Sequence, residues 1–75
     1  MSGLPDAAAQ AARALGGLAE APDDREAWRH WRVLERGWDA LAPDDRQDLK
    51  ALARRLLAGA PDGSRRLAVV EQLPG

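Results

Sequence analysis

The side chains that could do chemistry are few, and their spacing narrows the options quickly. His30 is the only histidine, with Glu26 and Asp39 as nearby carboxylates. A general-base role would need a nucleophile within reach, and the hydroxyl side chains are limited to Ser2 and Ser64. A metal site would need a second imidazole or a thiolate, and the chain has no cysteine. His30 therefore reads as a surface histidine paired with Glu26. The acidic clusters Asp23-Asp24 and Asp44-Asp45-Asp48 fall at helix starts and lack the alternating acids around a glycine of a calcium loop. Gly16, Gly17, Gly37, Gly59 and Gly63 form neither a phosphate-binding loop nor a dinucleotide fingerprint. The sequence predicts no enzyme activity, no cofactor and no metal.

A more informative constellation lies between residues 25 and 36. Arg25, Arg29, Arg32 and Arg36 recur at spacings of four, three and four, which puts them on one stripe of a helix. At 100° per residue that stripe lies opposite Ala27, Trp31, Leu34, Trp38 and Leu41. One side is built for a core, the other for water or an anionic partner. Local ion pairs compete for the stripe: Glu26 with Arg29 or His30, Arg32 with Glu35, Arg36 with Asp39, each contributing about 0.2–0.5 kcal/mol. Lys50, Arg54 and Arg55 extend the basic character beyond it. Trp31 and Trp38 belong to the apolar seam, whereas Trp28 is turned toward the arginines. Trp and Arg are enriched at binding hot spots, so the expected contact surface is Trp28 with Arg25, Arg29, Arg32 and Arg36.

The elements that must position this surface are marked by a recurring phrase, Ala21-Pro22-Asp23-Asp24-Arg25, Ala42-Pro43-Asp44-Asp45-Arg46 and Ala60-Pro61-Asp62-Gly63. Proline suits the first position of a helix, where its missing N–H would be unpaired anyway. Acids in the first turn complement the positive end of the helix dipole. With this punctuation the sequence predicts helices over about 5–19, 22–41, 43–58 and 64–73. The first carries Leu4, Ala8, Ala11, Leu15 and Leu18. Gly16-Gly17 weakens its last turns and is a point where it could stop early. The third carries Leu49, Leu52, Ala53, Leu56 and Leu57, the fourth Leu67, Val70 and Leu73. No segment alternates with the period of a strand. The expected fold is all-α, one domain over 1–75: a small antiparallel bundle of three to four short helices, with homodimerisation as a way to complete it.

Composition bounds the function. Large apolar residues are scarce, eleven Leu, three Val, three Trp and one Met, so the core is thin for a single chain of 75 residues. That favours a second surface, from a partner or another copy. No apolar run approaches the roughly 18 residues a membrane span needs, and the start of the chain lacks a secretory pattern. A cytoplasmic protein follows, and the Ala and Arg bias fits a bacterial or phage genome. The expected function is a protein–protein interaction module: an adaptor, inhibitor or regulatory subunit docking on a larger protein, or a self-associating chain. The alternative is a compact helix-turn-helix DNA-binding regulator. The net charge of −1 weighs against nucleic acid, whose binding draws on bulk positive charge. So does the absence of Asn, a residue suited to reading adenine.

Overall fold

The computed structural model describes residues 6–75, which form four helices and, among these residues, no strand: α1 (Asp6–Glu20), α2 (Asp24–Trp38), α3 (Pro43–Leu57) and α4 (Gly63–Glu71). The chain is a small all-α bundle. Leu4 and Pro5, assigned to the first helix from sequence, lie outside the described residues.

The Ala-Pro-Asp phrase begins three helices but in different registers. Before α2 the cap is Asp23, extended at φ −149° and ψ 175°, and its carboxylate accepts the Glu26 N–H at 3.0 Å. Pro22 therefore stands outside α2, which is shorter than the expected 22–41. At its other end the Ala40 and Leu41 N–H groups bond back three residues to Gly37 and Trp38. These tighter bonds close the helix and swing Leu41 into the core. Before α3, by contrast, Ala42 is the cap and Pro43 opens the helix, the arrangement expected for a proline.

Before α4 the cap is Asp62, at a left-handed φ of 53°. Gly63 follows because nothing larger fits: a Cβ there would lie 1.9 Å from the Leu57 carbonyl oxygen. The third phrase departs from Asp-Asp-Arg for this steric reason.

Gly16-Gly17 does not end α1, which runs on to Glu20. Ala14, Leu15 and Leu18 are buried on either side of the pair, and that packing holds the turn. Gly17 has a specific use, since a Cβ on it would sit 2.3 Å from His30 Nδ1. The imidazole lies across α1 where no side chain intervenes. His30 is thus half-buried against α1 rather than a surface partner of Glu26.

The core joins Leu15 and Leu18 of α1, Trp31, Leu34 and Trp38 of α2, Leu49 and Leu57 of α3, and Val70 and Leu73 at the chain's end. Ala11, Ala14, Ala27 and Ala53 fill the close approaches between helices. The α3 stripe is narrower than its sequence suggests: Leu52 is half-buried and Leu56 exposed. The extensive pairings are α1 with α2, α1 with α3, and α3 with α4. A short link does not make α2 and α3 partners, because α3 crosses to α1 after the Leu41 corner.

Two cations are buried, and each meets the carbonyl end of another helix. The Arg66 Nη1 group donates to the Leu18 and Ala21 carbonyls at 2.9 and 3.0 Å, closing the end of α1 from α4. Lys50 Nζ donates to the Leu73 carbonyl at 2.6 Å and the Glu71 carbonyl at 3.3 Å, closing α4 from α3. These carbonyls have no partner within their own helices and carry the negative end of the dipole. The Trp38 indole N–H donates to the Pro74 carbonyl at 2.6 Å, so the final residues are tied across the bundle.

The two glycines of α1 give opposite expectations. Gly16→Ala has open space for its Cβ and should raise stability by about 0.5–1 kcal/mol through helix propensity. Gly17→Ala should lose that gain or fall below the parent protein, and adding His30→Ala should restore it. Urea unfolding of the three variants checks the pattern.

Candidate functional site

The exposed side of α2 is set by the same periodicity that fills the core. Ala27, Trp31, Leu34 and Trp38 are buried, while Arg25, Arg29, Arg32 and Arg36 all face solvent. Trp28, which is 59% exposed, stands beside them. Its surface neighbours along the helix are Arg25, three residues before, and Arg32, four after.

The stripe is less neutralised than local charge pairing suggests. Glu26 bonds Arg29 at 3.3 Å, but the expected pairs Arg32–Glu35, Arg36–Asp39 and Glu26–His30 do not form among the described residues. Orientation explains the first two. An acid preceding its base along a helix is the favourable order. Glu26 precedes Arg29, whereas Arg32 and Arg36 precede their acids. Asp39 is moreover the residue closing α2, and its carbonyl accepts from Arg46 at 3.4 Å. Among the described residues, Arg25, Arg32 and Arg36 are left without a carboxylate partner.

Beyond α2 the basic residues divide differently than expected. Lys50 is a buried helix closure, and Arg54 grips Glu71 with two bonds of 2.8 and 3.1 Å. Neither contributes to an open basic face. Both buried cations had a readable signal: Lys50 shares a helical row with Ala53 and Leu57, and Arg66 shares one with Val70 and Leu73. A lone cation in an inward row marks a group with acceptors waiting for it.

Trp28 also forms one wall of a groove that no single stretch of sequence reveals. Leu18 of α1, Ala27 and Trp31 of α2 and Val69 of α4 supply its apolar surface, with a volume of about 260 Å³. Asp24, Arg65 and Arg66 supply its polar part. Val69 is itself 37% exposed, so two apolar side chains from different helices stand open at the same place. Arg65 Nη2 bonds Asp24 at 2.5 Å and Asp62 at 3.3 Å, which anchors α4 to the start of α2. Arg66 donates only to carbonyls, and its Nε–H has no acceptor.

Among the described residues, no group of three His, Asp or Glu side chains gathers closely enough to hold a metal ion. Nor, among these residues, is any helix long and apolar enough to cross a membrane. A scan against protein-family models and searches among curated proteins and among solved structures found no match to this chain.

Two ion pairs make stability depend on pH. The Arg65 hydrogen bond, reinforced by its charge, holds the Asp24 carboxyl below its ordinary range. The hydrogen bond from Arg54 does the same for Glu71. A carboxylate with a lowered folded pKa stabilises fully above its unfolded value and loses that contribution as pH falls through the folded one. The urea midpoint should therefore fall below about pH 4, modestly because both pairs are exposed and screened. A Asp24→Asn, Glu71→Gln double variant should show a shallower fall, and an unchanged profile would remove these pairs from the account.

Proposed function

We propose that this chain is a non-enzymatic interaction module that docks on a larger protein through the Trp28 edge of α2, with self-association as a variant of the same reading. The observation that carries it is the exposed Trp28, at the mouth of an apolar groove and between Arg25 and Arg32. A large indole left in water loses burial energy, since a fully buried large apolar side chain is stabilised by about 1.5–3 kcal/mol. Trp31 and Trp38 collect that gain in the core. Trp28 would collect it on contact with another surface, where Trp and Arg carry a disproportionate share of binding energy. An adaptor, an inhibitor or a regulatory subunit of a cytoplasmic assembly would all use such an edge.

DNA recognition is the competing reading, and the unpaired arginines are what favour it. A recognition helix at α3 would start with Asp44, Asp45 and Asp48, placing like charge against phosphate.

Affinity capture from lysate of the source cell, with and without nuclease, tests the proposal when parent and Trp28→Ala baits are run together. The proposal expects a stoichiometric protein that survives nuclease and is lost with Trp28→Ala, while far-ultraviolet circular dichroism stays unchanged. Partners lost on nuclease treatment, or retained by the variant, would overturn it.

A further inference from the structure

The groove beside Trp28 combines apolar walls with an excess of positive charge, and that combination specifies what fits it. Its walls are Leu18, Ala27, Trp28, Trp31 and Val69. The charged residues lining it are one carboxylate, Asp24, and two guanidiniums, Arg65 and Arg66. Asp24 is already engaged by Arg65, and Arg66, only 6% exposed, has no carboxylate within ion-pair distance among the described residues. Its unbonded Nε–H leaves part of that buried cation unsatisfied. Arg25 and Arg32, exposed and without a carboxylate partner among the described residues, border the same side of α2. At 100° per residue Trp28 lies about 60° round the helix from Arg25, so one docked segment can reach both the groove and the arginine row.

Size narrows the occupant further. The groove has a volume of about 260 Å³, at the small end of ligand-site volumes. It suits one or two large side chains of a polypeptide. Extending the interaction-module reading, and resting on it, we propose that the groove receives an aromatic or large aliphatic side chain from an acidic segment of a partner protein. The neighbouring carboxylates of that segment pair with Arg25 and Arg32. The chain's overall charge of −1 makes this a local recognition rather than bulk attraction, because surface charges are screened beyond about 8–10 Å at physiological salt.

The test is a titration of the ¹⁵N-labelled full chain followed by NMR, with a capped decapeptide carrying a central Phe flanked on each side by paired Glu residues. Two control peptides replace Glu by Lys, or Phe by Ser. The proposal expects shifts centred on Leu18, Ala27, Trp28 and Val69 with the parent peptide. It expects affinity about tenfold or more weaker for each control and for Arg25→Glu, Arg32→Glu protein, as rim charges tune recognition. A Arg13→Glu, Arg55→Glu protein changes net charge equally, away from the groove, and should bind within about twofold of the parent. Circular dichroism confirms that both double variants fold. No shifts at millimolar peptide, equal binding of the Lys peptide, or a footprint elsewhere would overturn the inference. So would the same footprint produced by a short DNA duplex and not by the acidic peptide. A captured protein partner that depends on Trp28 while the acidic peptide fails would remove this inference alone. Capture that ignores Trp28 removes the interaction-module reading beneath it.

Discussion

Two buried cations, each seated on the carbonyl end of a neighbouring helix, are the constraint on which the rest of this structure depends. A core with so few large side chains holds four short helices only if their ends are fixed as well as their faces. Arg66 fixes the end of α1 from α4, and Lys50 fixes the end of α4 from α3. A hydrogen bond involving a charged group contributes about 1.5–3 kcal/mol net, a large share of the stability of any small domain. The Trp38 bond to the Pro74 carbonyl extends the same logic to the final residues. Arg66 ties α4 to the end of α1, and Val69 of α4 and Trp28 of α2 line the same groove.

The arginines therefore divide by what they touch. Arg66 serves backbone carbonyls inside the bundle, while Arg54 and Arg65 clamp α4 through exposed carboxylates. Among the described residues, Arg25, Arg32 and Arg36 pair with no carboxylate. Groups that contribute little to holding the fold are free to contribute elsewhere, and here they sit beside the most exposed indole. That separation of duties is the physical basis for reading α2 as a contact helix.

Much of the fold was legible in the sequence because the core is periodic. The seam Ala27, Trp31, Leu34, Trp38 and Leu41 is buried throughout, as its four-three spacing predicts. What escaped depends on contacts between distant residues. The continuity of α1 past Gly16-Gly17 rests on packing, and the use of Gly17 rests on His30 from another helix. The helix-start phrase marked the right places but not the register, since capping turns on which residue adopts the extended or left-handed backbone. For the site, the exposure of Trp28 and the four arginines followed from helical geometry. The groove did not, because Val69, Arg65 and Arg66 arrive from α4, nearly forty residues further along the chain.

The most direct test is urea unfolding of Arg66→Met beside Arg32→Met, two substitutions of the same chemistry at a buried and an exposed arginine. Methionine keeps much of the apolar stem but leaves the Leu18 and Ala21 carbonyls without their donor, against which the relief of a buried charge is a partial offset. Arg66→Met should lose about 2 kcal/mol, and Arg32→Met should change stability by no more than about 0.5 kcal/mol. An Arg66→Met protein as stable as the parent, or an Arg32→Met protein that loses as much, would contradict the division between arginines that hold the fold and arginines left free to bind.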